Sequence, residues 1–434
     1  MGPLRLRDLS AVCAAACLAV AGEPAAQDRL RTVEGRADGD ACGVVIRDVG
    51  DLDKDGHDDY AVGAPGGDTH AKDTGRVLVY SGASDRVIHK FVGRSPGDSF
   101  GYSLAGAGDV NGDGYDDLIV GAPYEDHEVA DAVIADAGCA HVISGRDGEV
   151  LYTFGGPSEG DALGWSVGAL GDVNRDGHAD VVVGAPFHEA KGSPDAGLVQ
   201  VFSGKTGALL YQLRGREPGD RFGWSVCNAG DQNGDRAGDL AVGVEGGNRR
   251  EVQAGATQLF SGKSGQLLRT LRTGQEQDYF GASIAPAGDV DQDGRADLLI
   301  GAWNGLSPDE ARTGTALVIS GRSGKVLLRV AGSAPHDRFG AAVAGVGDID
   351  GDSHPDIAVG APQEPETGSG YVRVFSGKTG AVLFTLVGES IGDGFGTSIS
   401  SHGDRNEDGV RDLLVGAPGL RGRGGWHVFT CPAR

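Results

Sequence analysis

The chain has 434 residues, 77 of them glycine and only one methionine, with a formal charge of −24. So much glycine without a three-residue period excludes a collagen-like fibre, and a hydrophobic content of 39% excludes a disordered chain. The acidic balance also excludes nucleic acid as a partner, because phosphates need basic patches.

The first element in chain order is not part of the fold. Arg5 and Arg7 precede an apolar run from Leu9 to Val20, and Ala19-Val20-Ala21 offers a small-residue cleavage site. Residues 1–21 therefore read as a secretory signal peptide, which places the mature protein outside the cell or in the envelope. The run is too short to span a bilayer as an ordinary helix, and no later stretch reads as a transmembrane segment. A lipid-anchored form at Cys17 is the alternative. Beyond the signal, Cys42, Cys139, Cys227 and Cys431 are too few for a disulfide scaffold.

From residue 28 to 434 a single unit recurs seven times. Its acidic segment, seen as Gly108-Asp109-Val110-Asn111-Gly112-Asp113-Gly114-Tyr115-Asp116-Asp117, returns with its first aspartate at Asp51, Asp109, Asp172, Asp231, Asp289, Asp348 and Asp404. A period near sixty held over the whole mature chain is the signature of a repeat architecture. Each period contains four short apolar stretches bounded by turn residues. In the third unit these are Leu163–Val167, Asp180–Gly184, Leu198–Phe202 and Ala208–Leu213. Such stretches read as antiparallel strands, and four per repeat make the blade of an all-β propeller. The last unit stops after its third strand, Trp426–Thr430, while Leu30–Val33 resembles a fourth. The N-terminal strand is thus expected to complete the seventh blade, closing the ring and removing the exposed edge. The same strand order places Cys42 and Cys431 at opposite ends of a strand, about 17 Å apart, too far for a disulfide.

The acidic loops, at 51–59, 109–117, 172–180, 231–239, 289–297, 348–356 and 404–412, set oxygen side chains at positions 1, 3, 5 and 9. The carbonyl of position 7 is a further ligand, so the side chains of His57, His178 and His354 at that position are expected to face solvent. The expected ligand sets are Asp51, Asp53, Asp55, His57 and Asp59; Asp109, Asn111, Asp113, Tyr115 and Asp117; and Asp172, Asn174, Asp176, His178 and Asp180. They continue with Asp231, Asn233, Asp235 and Asp239; Asp289, Asp291, Asp293, Arg295 and Asp297; Asp348, Asp350, Asp352, His354 and Asp356; and Asp404, Asn406, Asp408, Val410 and Asp412. Calcium is a hard ion that takes six to eight oxygens, which such loops supply. An EF-hand needs a glutamate at position 12, but that place holds Val62, Val120, Val183, Val242, Ile300, Val359 and Val415. Those residues belong to a strand, so the EF-hand is excluded. Packing 24 aspartates into seven turns without a cation would be strongly repulsive. Up to seven calcium ions are expected, with weaker sites at Asp231 and Asp348, where Arg236 and Ser353 replace the glycine of position 6.

These units resemble FG-GAP repeats, which build the head of integrin alpha subunits. Phe-Gly stands at Phe100-Gly101, Phe222-Gly223, Phe280-Gly281, Phe339-Gly340 and Phe395-Gly396, with Leu163-Gly164 and Cys42-Gly43 as variants. Gly-Ala-Pro stands at Gly63–Pro65, Gly121–Pro123, Gly184–Pro186, Gly360–Pro362 and Gly416–Pro418. Units four and five depart, with Gly243-Val244-Glu245 and Gly301-Ala302-Trp303. The resemblance implies a seven-bladed propeller, calcium between first and second strands and, by analogy, extracellular adhesion.

The remaining chemistry lies in the connections between second and third strands, on the face opposite the acidic loops. Asp68, His70, Glu125, Asp126, His127, Glu128, His188 and Glu189 oppose Arg249, Arg250, Arg421 and Arg423. This suggests a charge-polarised surface for an extracellular protein or glycan partner. No catalytic constellation is found. The expected protein is a monomeric binding or adhesion module with structural calcium. A polysaccharide-acting enzyme and a structural surface component are the alternatives.

Overall fold

A computed structural model describes residues 29–67, 72–130, 132–190, 192–246, 254–273 and 275–431. The signal segment, Asp68, His70, Arg249 and Arg250 lie outside the described residues. The described chain forms seven four-stranded antiparallel sheets and one small two-stranded hairpin. Blade 1 comprises Val45–Gly50, Asp59–Ala64, Arg76–Tyr80 and Val87–Val92. The later blades repeat this order. The first strand of each blade packs on the first strand of the next, and the seventh returns to the first, leaving a central channel lined by first strands.

The second and third strands of the blades carry runs such as Asp117–Ala122 and Leu198–Phe202 that are buried throughout. The fourth strands alternate, as in Leu209–Arg214, because one face meets water. The seventh blade is completed by Arg29–Glu34, which pairs antiparallel with Gly425–Phe429, Thr32 opposite His427 and Val33 opposite Trp426. Ring closure by the N-terminal strand is therefore as expected. Cys42 and Cys431 are buried, unbridged thiols, and burial pushes the Cys42 thiol up to about 12.

In five blades the first strand begins later than the apolar pattern suggests: in blade 3 it is Ser166–Gly171, with Leu163-Gly164 in the connection before it, whereas in blades 4 and 5 it starts at Phe222 and Phe280. The position of this pair at the seam explains both halves of the repeat motif. The aromatic residue plugs the seam between blades: Phe222, Phe280, Phe339 and Phe395 are at most 2% exposed, and Phe100 bridges to Gly75 of the preceding blade. The following glycine then touches the glycine of the preceding Gly-Ala-Pro. Gly101 N–H donates to the Gly121 carbonyl within its own blade at 3.0 Å, while a Cβ on Gly63 would stand 2.1 Å from the Gly101 carbonyl. Next to the same seam a serine hydroxyl donates to the carbonyl of the next blade's motif glycine. Examples are Ser103 to Gly164 at 2.6 Å and Ser398 to Gly43 at 3.0 Å.

Only the glycine of Gly-Ala-Pro is needed for this approach, so the divergent motifs in blades 4 and 5 cost nothing here. A Cβ on Gly243 or Gly301 would still meet a carbonyl at 2.2 and 2.0 Å. Gly121→Ala, placing a Cβ 2.0 Å from the Gly164 carbonyl, is expected to destabilise by about 1–3 kcal/mol or more through overpacking. Denaturant unfolding checks this, with a midpoint clearly below that of the unaltered chain.

Candidate metal-binding loops

Each acidic loop joins the first two strands of a blade and is built around its first and last aspartates. Asp51 accepts hydrogen bonds from Asp55 N–H at 3.1 Å and Gly56 N–H at 3.0 Å, winding the loop about its own carboxylate. The last aspartate is fully buried in all seven blades. One of its oxygens takes the N–H of position 2, from Leu52 to Asp59 at 2.9 Å and from Arg405 to Asp412 at 2.9 Å. In blades 1 to 6 the other takes the glycine N–H of the Ser-Gly turn after the third strand, such as Gly82 to Asp59 at 2.9 Å and Gly321 to Asp297 at 2.9 Å. Position 9 thus ties the loop to the neighbouring turn. This role is invisible in a ligand count, although its signal, a Ser-Gly pair after the third strand of blades 1 to 6, was present in the sequence.

Three loops bring three carboxylates together with ligand oxygens within 4.8 Å of one another: Asp51, Asp53 and Asp59; Asp289, Asp291 and Asp297; and Asp348, Asp350 and Asp356. These are the loops with aspartate at position 3. In the other four, Asn111, Asn174, Asn233 and Asn406 stand there. Their amide oxygens accept the position-5 N–H, as from Asp113 to Asn111 at 2.9 Å. The donors are all hard oxygens in a turn that holds them at one point, which fits a divalent cation of the calcium class.

Arg236 and Ser353 adopt the left-handed conformation of the glycine they replace, at φ 67° and 70°. Their N–H groups still bind the first aspartate at 2.8 and 2.7 Å. The loop keeps its course at both places, with strain as the cost of a side chain there.

Of the position-7 histidines expected to face solvent, His57 does so. Several other position-7 side chains reach sideways to the preceding loop. His178 Nδ1 lies 2.8 Å from the Val110 carbonyl, His354 Nδ1 lies 2.7 Å from that of Val290, and Arg295 donates to that of Gln232. Tyr115 instead stacks beneath the Lys54 ammonium at 4.4 Å, and Val410 packs on the core. Adjacent loops are therefore linked edge to edge around the ring.

Burial dominates the electrostatics of the last aspartates and favours their neutral form. It raises Asp59 to about 7 and Asp117, Asp239, Asp356 and Asp412 to about 6, against the opposing pull of backbone N–H bonds. In the metal-free protein these folded-state values lie above the unfolded one. Their stabilising contribution is present below about pH 4 and is lost as the pH rises through 6 to 7. The chain in excess chelator is thus expected to melt higher at pH 5 than at pH 8. A melting temperature that climbs steadily over that range would contradict the assignment.

On the opposite face the described members of the charge-polarised set divide. Glu125 and His188 are 6% and 5% exposed and pair inwardly. Glu125 meets His141 Nε2 at 2.7 Å, and His188 Nδ1 meets Asp161 at 3.0 Å. Arg421 pairs with Glu34 and Glu389, and Arg423 with Asp38, so these cations fasten the closing blade. Asp126, Glu128 and Glu189 remain exposed.

A second aspartate series was missed. Asp40, Asp98, Asp161, Asp220, Asp278, Asp337 and Asp393, each two residues before the Phe-Gly position, are at most 9% exposed. Most accept backbone N–H groups of their own turn, as Asp98 does from Ser95 at 2.6 Å. Their signal was a sevenfold spacing ahead of the aromatic residue.

Fold and loops together define a seven-bladed β-propeller with an oxygen-donor loop in every blade. Comparison with known proteins narrows this. The FG-GAP repeat family matches residues 48–80, 100–138, 163–202, 280–319 and 339–375, which fall in blades 1, 2, 3, 5 and 6. Integrin alpha-5 of Xenopus laevis is 31% identical over 229 residues, 50% of this chain and 21% of the relative. Integrin alpha-PS2 of Drosophila melanogaster is 35% identical over 214 residues, 45% of this chain and 15% of the relative. Human integrin alpha-IIb is 37% identical over 171 residues, 36% of this chain and 16% of the relative. The chain thus carries FG-GAP repeats and is similar to integrin alpha subunits, and its matches span 15% to 21% of the length of these relatives.

Proposed function

We propose that the protein is a secreted, non-enzymatic binding or adhesion module whose calcium is structural. Its extracellular protein or glycan partner docks on the face opposite the acidic loops. One contrast carries this reading. The acidic loops repeat closely from blade to blade, whereas the opposite connections differ in length and chemistry, as specificity loops on a rigid scaffold do. The longest departure is the hairpin of His127–Val129 and Ala132–Ile134 in blade 2, which presents Val129 and Val133 at 48% and 62% exposure beside Tyr124 at 42%. Apolar side chains held out on an ordered hairpin suit a partner contact. The likeness to integrin alpha subunits supports an extracellular site of action, as does the N-terminal signal. No helix among the described residues is long and apolar enough to cross a membrane.

The test is a panel of immobilised extracellular proteins and glycans probed with the calcium-loaded chain and with a variant whose residues 126–135 are replaced by a short glycine-serine turn. Loss of capture with unchanged melting supports the reading. Capture that survives the replacement, but disappears on altering exposed loop residues of the acidic face in a folded protein, would place the site on that face instead.

A further inference from the structure

The central channel contains a cavity of about 540 Å³ lined by first-strand residues of all seven blades, within the usual size of small-ligand sites. Its lining has one charged side chain, Arg47 of blade 1. No carboxylate lies within ion-pair distance of Arg47 among the described residues. Its Nη1 donates to the carbonyls of Ile46 at 2.8 Å and Ile399 at 3.3 Å, which holds the guanidinium across the inner edges of blades 1 and 7. Nε and Nη2 have no partner among the described residues. The register explains the space around it. Arg47 pairs with Ala61, two residues before the motif glycine, and the corresponding inner positions are Ala105, Gly168, Cys227, Ala285, Ala344 and Ser400. Six small residues thus leave room for one long cation.

Three residues earlier on the first strands, about 10 Å along the channel, the lining changes character. Blades 2, 3 and 4 place Tyr102, Trp165 and Trp224 there. Their rings form a continuous cluster, with Tyr102–Trp165 and Trp165–Trp224 centroids both 4.8 Å apart. The corresponding residues of blades 5, 6, 7 and 1 are Ala282, Ala341, Thr397 and Val44, so one side of the channel is aromatic and the other low. The half-buried guanidinium has no carboxylate beside it and keeps Nε and Nη2 open to the channel, where an anion can complete it. Its planar fork suits a carboxylate, and flat rings beside it suit a pyranose face.

We propose that the channel binds the end of an acidic oligosaccharide, with a uronate carboxylate on Arg47 and the adjoining sugar ring against Tyr102, Trp165 and Trp224. The two tiers are separated by more than one ring, which selects a disaccharide end over a free monosaccharide. Partial burial also pushes the Arg47 pKa down. The inference deepens the glycan arm of the proposed function and remains separable from it. A protein partner captured by the blade 2 hairpin, without any acidic sugar in the channel, sinks this inference alone.

The experiment is calorimetric titration of the calcium-loaded full chain with cellobiouronic acid, cellobiose and inorganic phosphate. Cellobiouronic acid is expected to bind at least about tenfold more tightly than either of the others, as loss of one charge-assisted contact implies. Arg47→Gln should remove that advantage, and Trp165→Ala should weaken the acid and cellobiose alike, each without a large change in melting temperature. Absence of binding by all three probes overturns the proposal. So does phosphate binding as tightly as the acidic sugar, or an Arg47→Gln variant that retains full affinity. If Arg47→Gln fails to fold, Trp165→Ala, which leaves the guanidinium in place, still decides whether the aromatic tier holds the ring.

Discussion

Adding excess EDTA to the calcium-loaded protein is expected to lower its melting temperature by tens of degrees or to unfold it at ambient temperature. Each loop concentrates three or four carboxylates at its ligand positions, and three loops hold three ligand oxygens within 4.8 Å of each other. Without a cation that charge is compensated by backbone N–H groups, by a few side chains such as Lys378 at 3.8 Å from Asp352, and by neutralising the buried aspartates. A site at tenfold calcium excess over its dissociation constant contributes about 1.4 kcal/mol, provided the unfolded chain does not bind. Seven such sites would sum to about 10 kcal/mol, comparable with the whole stability of an ordinary domain. Asp53→Ala or Asp291→Ala should lower the melting temperature more than Asp235→Ala, because the first two lie in the converging clusters. A melting curve indifferent to EDTA, or a purified protein without bound metal by elemental analysis, would defeat the structural-calcium reading.

Removal of residues 29–34 is expected to have the second largest effect. That strand supplies the outer partner of Gly425–Phe429 and covers a layer in which Trp426 and Val428 are at most 1% exposed. It also brings Arg29 and Glu34 to the ion pairs with Glu389 and Arg421. Without it the seventh blade has three strands and an open hydrogen-bonding edge, a template for pairing with another chain. The truncated protein should melt at least about 10 °C lower, since a few kcal/mol shift a midpoint by that order, and should form oligomers on size exclusion. A monomeric truncated protein with an unchanged midpoint would show that closure by this strand does not hold the ring. His427 adds a pH signature to the same seam. Burial lowers its pKa to about 4, so its contribution is present above the unfolded value near 6.5 and is lost as the pH falls through 4.

Sequence by itself determined the blade count, the strand number, the closure by the N-terminal strand and the loops that gather oxygen donors. Each of these is a one-dimensional regularity. A sixty-residue period, short apolar stretches bounded by turn residues and a fixed set of aspartate positions leave marks along the chain that need no partner to be seen. Tertiary structure alone decided what crosses between blades. It placed the Phe-Gly glycine of one blade against the Gly-Ala-Pro glycine of its neighbour and turned His178 and His354 from expected surface groups into links between loops. It also buried His188 and Glu125 in inward pairs and stood Arg47 in the channel among small residues. The physical reason is that these contacts join residues from different turns or different blades, where distance and desolvation set the outcome. Neither quantity is written in the spacing of one repeat.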